Sequence, residues 1–211
     1  MALTDPHSPG ATPLRPEDLR ALRLLHITTY AELNEAEAAN IIAGQEWALR
    51  SRTSDLPSIL SDDYLQQLHE EMYGEVWKWA GNYRTHDTNI GSRYPMIRTD
   101  LRQFLDDARY WSTHKTYEPE EFAIRAHHRI VKIHPFANGN GRHSRLVADL
   151  LLMKHFKVKR LSWGGGALGN TDPNRVKYIE ALQEADRSDY ASLIVIAQAN
   201  RSDDSPPNRV Q

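Results

Sequence analysis

A short stretch in the second half of the chain places the strongest limit on the fold, because it ends one helix and begins another within a few residues. Residues 130–145 read IVKIHPFANGNGRHSR. Pro135 disfavours helical geometry at His134, and Gly139 and Gly141 permit backbone angles that side chains forbid. Helical apolar periodicity continues on both sides, so this stretch predicts a helix–loop–helix.

The same loop carries the groups that phosphate chemistry requires. Amides at a helix N-terminus lack intrahelical partners and can surround an anion. Arg142 and Arg145 lie three residues apart on one face of the first turn, and a guanidinium matches phosphate oxygens. His134 stands at the entrance and can take a proton near neutral pH. The set indicates phosphoryl or nucleotidyl transfer. The alternative is a glycine-rich turn whose arginines pair with surface acids.

The rest of the chain is predicted to be mainly helical. In the first helix, Asn34 and Glu37 resemble a capping box, and Ala36 and Trp47 belong to its apolar stripe. Residues 83–98 lose the helical period and predict turns with a short β-hairpin. The predicted helices cover residues 35–50, 61–81, 99–111, 118–133 and 141–153, with two more from 172 onward and from 189 to 197.

Composition sets the outer limits on function. The absence of cysteine excludes a disulfide scaffold, a cysteine zinc site and a thiol nucleophile. Twenty-six basic against 28 acidic side chains give a net charge of -2, which does not favour nucleic acid or an anionic membrane as partner. No apolar run approaches the roughly 20 residues of a membrane span, and the N-terminus lacks a signal-peptide core. We therefore expect a cytoplasmic protein.

The sequence HPFANGNGRHSR closely resembles the signature of the Fic family, His-x-Phe-x-acid-Gly-Asn-Gly-Arg-x-x-Arg. The segments LHEEMYGEVWKWAGNYR (68–84) and YIEALQEADRSDY (178–190) are also typical of Fic domains. The segment ELNEAEAANI resembles the small bacterial subgroup called mobile mystery protein B. The implied organisation is a flexible arm (1–18), a mainly α Fic-type domain with an N-terminal helical extension and a small β-hairpin flap (19–200), and a flexible tail (201–211).

The resemblance implies transfer of AMP from ATP to a hydroxyl side chain of a target protein. His134 would be the base, and Phe136 would anchor the loop in the core. The phosphates would be bound by residues of the loop and of the following helix, with Arg142 on the distal phosphates. Those residues are Gly139, Asn140, Gly141, Arg142 and Arg145. A flap at about residues 86–97 would bind the target segment, and a separate antitoxin is a further possible partner.

Two features depart from the family pattern. Asn138 replaces an acid that normally helps to hold Mg²⁺; its amide oxygen can ligate a hard cation but supplies no charge. The self-inhibitory motif of many members has no strict copy here. Glu35 or Glu37 could approach Arg145 from the first helix, although the interpretation we favour is that both are solvated surface charges. The alternatives to AMP transfer are a non-catalytic nucleotide- or partner-binding regulator and transfer of another phosphate-containing group.

Overall fold

The structure, a computed structural model, describes residues 15–163 and 174–199, and most of these residues are helical. The chain divides into two compact units, one up to residue 160 and one from residue 161. The first unit contains α1 (Pro16–Leu19), α2 (Tyr30–Arg50), α3 (Leu56–Ile59), α4 (Asp62–Tyr73), α5 (Ile97–Thr113), α6 (Pro119–Ile133) and α7 (Asn140–Leu150), which continues as a π-helical turn, Leu151–Phe156. The second contains α8 (Asn174–Asp186) and α9 (Ala191–Gln198).

The two helices that flank the loop have nearly the predicted bounds. α6 begins at Pro119, with Glu120 and Glu121 in its first turn, where a fixed φ and negative charge are both favourable. α7 begins at Asn140, one residue before the predicted start. The local signals were sufficient here because proline restricts the backbone and glycine permits angles that other residues avoid, whatever surrounds them.

The predicted start of α2 is wrong, and its buried face is predicted only in part. The helix begins five residues before the predicted start, where the Thr29 side chain accepts from the Glu32 amide and the Glu32 carboxylate accepts from the Thr29 amide. Asn34 and Glu37 therefore do not form the cap. Of the predicted stripe, Ala36 and Trp47 are partly buried against the core, whereas Ala39 and Ala43 are exposed. The fully buried face contains Leu33, Glu37, Asn40, Ile41, Gly44 and Ala48.

Close packing of α2 on α4 explains that face. A methyl group added to Gly44 would lie 2.8 Å from the Met72 main chain, so only glycine permits the approach. Leu65, Leu68 and Met72 are buried on α4, as predicted, although the helix ends at Tyr73 rather than near residue 81.

Residues 83–98 do not form the predicted hairpin. Tyr83 makes an isolated bridge to Phe136. The Ser92 amide donates to the Ile133 carbonyl instead of to a hairpin partner. Tyr94–Met96 is a 3₁₀ turn that leads into α5. Other backbone groups of the segment bind side chains: the His86 and Ser92 carbonyls accept from Arg84, and the Tyr94 amide donates to Asp87. These groups therefore do not need a hairpin ladder.

The second unit has the predicted final helix. Leu193 and Ala197 are its buried residues. The predicted helix start at residue 172, the tail and most of the N-terminal arm lie outside the described residues, and the domain limits stay predictions. No helix in the described ranges has the length and apolar character needed to cross a membrane.

Candidate functional site

The site is built around His134, which ends α6 in the left-handed conformation (φ 54°, ψ 59°). Histidine is one of the few side chains that adopt this region with any frequency. The residue is 6% exposed, and its Nδ1 lies 3.3 Å from the Val131 carbonyl oxygen. A proton on Nδ1 is donated to that carbonyl and leaves the lone pair on Nε2.

The surroundings keep this imidazole neutral. Burial lowers the pKa of His134 to about 4; the Val131 carbonyl contact opposes that shift, and the Arg84 cation adds to it. Near pH 7 the ring is therefore unprotonated and can accept a proton from a bound hydroxyl group.

The loop after His134 is held from the core side by a stacked pair of rings. Phe136 is fully buried, and its ring centroid lies 3.7 Å from that of His69 with the planes inclined by 16°. The Gly81 amide donates to Nδ1 of His69 at 3.0 Å, so Nε2 carries the proton and donates to the Asn138 carbonyl at 3.1 Å. Burial holds the pKa of His69 well below its usual value.

Sequence reasoning missed His69 and the structural role of His143. His143, on α7, has its Nε2 2.9 Å from the Leu65 carbonyl oxygen, and burial lowers its pKa to about 4. The signal that could have found His69 was its helical spacing from Leu65 and Met72, which puts it on the buried face of α4.

Asn140 closes the loop on itself. Its side-chain oxygen accepts from the Phe136 amide at 2.9 Å, and its side-chain nitrogen donates to the Phe136 carbonyl at 2.8 Å. The residue is 2% exposed. Because the side chain is buried and bonded to the loop at both ends, the main-chain amide is the group that Asn140 can offer to a phosphate.

Gly139 is required by geometry on two counts. Its φ is 80°, a region that glycine enters without strain. A methyl group in its place would lie 2.5 Å from Cζ of Tyr73. Tyr73 is fully buried, and burial raises its pKa to about 12. The neutral phenol ring of Tyr73 therefore packs directly against Gly139 at the start of α7.

The N-terminus of α7 presents the predicted anion-binding amides. The first bond of this helix runs from the His143 amide to the Gly139 carbonyl, so the amides of Asn140, Gly141 and Arg142 have no intrahelical acceptor. The Gly139 amide is engaged by the side-chain oxygen of Asn138 at 2.6 Å. A phosphate group at this end would meet the positive end of the helix.

The interpretation of Glu37 as a solvated surface charge is wrong. Glu37 is 4% exposed. One carboxylate oxygen accepts from Nε1 of Trp77 at 2.8 Å, and the other accepts from Nη2 of Arg142 at 2.9 Å. Its neighbour Glu35 is exposed, as expected. An acidic side chain on α2 therefore already holds one of the two arginines assigned to phosphate.

Arg145 lies one turn further along α7. It is half-buried; burial holds the pKa of the neighbouring His127 well below its usual value, and the charge of Arg145 adds to that shift. A methyl group on Gly141 would lie 3.7 Å from Nη1 of Arg145, an ordinary contact distance. The Arg145 guanidinium therefore lies beside Gly141, in the first turn of α7.

The described residues do not by themselves build a metal site. They contain no group of three or more His, Asp or Glu side chains that could hold an ion. Asn138 offers one neutral oxygen, and that oxygen accepts from the Gly139 amide. Mg²⁺ usually needs carboxylates plus substrate phosphates. The chemistry of this loop therefore suits a metal that arrives on the nucleotide better than one resident in the protein.

The family model and the named relatives that this chain resembles in sequence are of the Fic type. The model of the Fic/DOC family matches residues 59–152. A relative named protein adenylyltransferase Fic from Nematostella vectensis is 32% identical over 123 residues, which are 54% of this chain and 29% of that protein. The protein of the same name from Drosophila melanogaster is 34% identical over 122 residues, 54% of this chain and 25% of that one. The chain thus spans only about a quarter of the length of these relatives.

Solved structures show the same fold. Fic-1 (residues 134–508) of C. elegans is 25% identical, covers 77% of this chain and 48% of that one, and superposes with a TM-score of 0.58. BepC of Bartonella tribocorum, solved with bound AMPPNP, is 16% identical, covers 87% of this chain and 97% of that one, and gives a TM-score of 0.59. The match to the family model, the named relatives and the shared fold agree with the loop geometry, and residues 59–152 of this chain are similar to the Fic/DOC family domain.

Proposed function

We propose that this protein is a protein adenylyltransferase that transfers AMP from ATP to a hydroxyl side chain of a target protein. The observation that carries the proposal is the neutral, buried His134 only six residues before the open amides of α7. A base for a hydroxyl group and a cradle for phosphates thus occupy one loop. The names of the curated relatives and the nucleotide analogue in BepC support the same reaction.

The proposed reaction uses these groups in one displacement. Nε2 of His134 takes the proton of the target hydroxyl group. The hydroxyl oxygen attacks the α-phosphorus of ATP, a new P–O ester bond forms, and the bond to the β-phosphate oxygen breaks. Pyrophosphate leaves with the electron pair of that bond. The amides of residues 140–142 and the charges of Arg142 and Arg145 stabilise the phosphate oxygens, so the protein acts mainly through position and charge.

Magnesium enters this proposal as part of the ATP substrate. Asn138 can offer its amide oxygen to the ion only by giving up the Gly139 amide. We expect that ATP supplies nearly all of the negative charge around the metal, and that the free protein binds Mg²⁺ weakly.

The ion pair between Glu37 and Arg142 indicates that the proposed enzyme is inhibited in the conformation described here. A distal phosphate that binds Arg142 must compete with the Glu37 carboxylate, which is fixed from behind by Trp77. The same contact favours the second candidate function, a nucleotide-binding regulator that turns over slowly or not at all. A separate antitoxin that acts on the same pair is a compatible partner.

The target is proposed to bind at residues 86–97. Three large apolar side chains are exposed there by 45–46%, at Ile90, Tyr94 and Met96. Although the segment is not a hairpin, exposed apolar groups beside the loop suit contact with another protein. A cytoplasmic location would give the enzyme access to ATP and to intracellular targets.

Intact-mass spectrometry tests the function. The protein is incubated with ATP, Mg²⁺ and a pool of candidate target proteins, and the added mass identifies the transferred group. We expect an adenylyl group, and no transfer by His134→Ala, which should still bind ATP because the base acts on the hydroxyl group. ATP binding by a wild-type protein that transfers nothing would favour the regulator. A different added mass would show transfer of another phosphate-containing group.

A further inference from the structure

Arg84 is a buried arginine that no part of the proposed reaction uses. It follows the isolated bridge at Tyr83 and is 4% exposed. A buried guanidinium is costly unless every donor finds an acceptor. The nearest carboxylate, on Asp87, is 56% exposed and lies 3.9 Å away, which is too long for a hydrogen bond. This long ion pair to an exposed carboxylate leaves the N–H donors of Arg84 in need of other acceptors.

Main-chain carbonyl groups supply the acceptors, and they come from two sides. On one side, Nε donates to the His134 carbonyl at 2.7 Å, and Nη2 lies 3.4 Å from the Ile133 carbonyl. On the other side, Nη1 donates to the His86 carbonyl at 2.7 Å, and Nη2 donates to the Ser92 carbonyl at 2.5 Å. One planar group thus joins the end of α6 to both ends of the segment 86–92.

The electrostatics and the geometry of arginine fit this place. Residues 133 and 134 end α6, where the helix dipole is negative and a cation is stabilised. The five donors of arginine lie in a fixed fork. A lysine has the charge but not the fork, and a glutamine has too few donors. The chemistry of the site therefore requires arginine rather than a general cation or a general donor.

Main-chain contacts extend the same connection. The Arg84 amide donates to the Pro135 carbonyl at 2.9 Å, and the Ser92 amide donates to the Ile133 carbonyl at 3.1 Å. Gly91 has a φ of 103°, and a methyl group on it would lie 2.5 Å from Cβ of His134. The segment 86–92, which is bound by the Arg84 side chain, thus lies directly against His134.

We propose that Arg84 is the positioning residue of His134: by joining the His134 carbonyl to the segment 86–92, it holds the histidine in its left-handed conformation and ties it to the proposed target-binding segment. The inference rests on the proposed role of His134 as the base. Movement of the segment on target binding is then transmitted to the histidine through the Arg84 side chain together with the main-chain contacts beside it.

Three arginine variants test the proposal. Arg84→Gln removes both the charge and most of the fork, and Arg84→Lys keeps only the charge. Arg129→Gln is the matched control, because Arg129 also stabilises α6 through a side-chain contact, here to Asp107 on α5 at 3.0 Å, but one turn before the loop. Each variant is compared with wild type by thermal unfolding, by calorimetry with ADP, by the rate of AMP transfer, and by NMR titration of the His134 ring.

We expect both Arg84 variants to lose about 100-fold in kcat, because a displacement of the base by about 1 Å has an effect of that size. Their affinity for ADP should stay within about twofold of wild type, since the amides of α7 are untouched. The pKa of His134 should rise in Arg84→Gln, where the neighbouring charge is lost and the ring gains access to water, and should rise less in Arg84→Lys. Arg129→Gln should keep wild-type values of kcat and of the His134 pKa.

Two outcomes would overturn the proposal. One is a parallel loss of ADP affinity and kcat, which is the behaviour of a partly unfolded protein. The other is lower thermal stability with an unchanged His134 resonance, pKa and kcat, which is that of a purely structural residue. If wild type transfers no AMP, the proposed function fails, but the NMR comparison still decides whether Arg84 positions His134.

Discussion

Replacing Glu37 by glutamine should raise the affinity of this protein for ATP while it lowers the stability of the fold. The carboxylate accepts from Trp77 on one oxygen and from Arg142 on the other. Glutamine has the same length and can keep the Trp77 bond through its carbonyl. Its NH₂ group would then face the Arg142 guanidinium, donor against donor, and the ion pair is lost.

The magnitude follows from the exposure of the pair. A hydrogen bond to a charged group contributes roughly 1.5–3 kcal/mol. The Arg142 side chain is 38% exposed while that of Glu37 is 5% exposed, so solvent screens the pair in part and the lower half of that range applies. Removing a competitor worth about 1.5–2 kcal/mol should tighten ATP binding by about 10- to 30-fold. The free energy of unfolding should fall by about 1–2 kcal/mol, because a buried interaction is lost.

Glu35→Gln is the matched control. It makes the same chemical change on the same helix at an exposed position, so it should alter neither ATP affinity nor stability by a measurable amount. Calorimetric titration with ATP and urea unfolding compare the two variants with wild type. Transfer at low ATP concentration should rise with affinity in Glu37→Gln only. An ATP affinity equal to or below that of Glu35→Gln would refute the competition between Glu37 and phosphate.

Three further predictions follow from the loop. Arg142→Ala should weaken ATP binding by about 10- to 100-fold and AMP binding much less, measured by calorimetry, because the guanidinium is placed on the distal phosphates; equal losses would contradict that placement. Asn138→Asp should lower the Mg²⁺ concentration for half-maximal transfer, since it adds an anionic oxygen at the same length; an unchanged value would show that position 138 does not serve the metal. Stability should fall as the pH drops from about 6.5 to 4, because burial lowers the pKa of His134 and His143 to about 4, so the unfolded state takes up protons that the folded state refuses. Each contributes on the order of 3 kcal/mol above pH 6.5, and urea unfolding at pH 7 and pH 5 measures the loss.

The parts of the fold that sequence predicted well are those governed by local backbone chemistry. Pro119 and the acids after it fixed the start of α6. Pro135 and Gly139 located the loop, and α7 begins within one residue of the prediction. The N-terminus of α7, where we propose that phosphate binds, follows from the same signals, because its position depends on where a helix starts and not on what packs around it.

The parts that were wrong depend on contacts distant in sequence. On α2, alanines suggest an apolar stripe, but alanine contributes little area, and the face that packs against α4 is decided by Gly44 and Asn40. The burial of Glu37 depends on Trp77 and Arg142, which are 40 and 105 residues away. No periodicity within one helix encodes either partner.

The missing hairpin has a similar cause. Asn89, Gly91 and Pro95 are ordinary turn residues, and sequence alone favours pairing within the segment. In the structure the carbonyls of His86 and Ser92 turn to the Arg84 side chain instead. An arginine within a polar segment gives no sign that it will be buried.

The anchoring of α2 limits how Arg142 can be released. Near its middle, the Asn40 side chain donates to the Glu71 carbonyl and accepts from the Glu75 amide. At its end, Lys154 donates to the Ala48 and Ser51 carbonyls. Withdrawing the helix would break all of these bonds together with the close approach at Gly44, and would expose core side chains to water. Rotation of the Glu37 side chain away from Arg142 breaks one ion pair and at most the hydrogen bond from Trp77. We therefore expect that Arg142 is released by a side-chain movement at Glu37, which ATP or a partner would drive without displacing the helix.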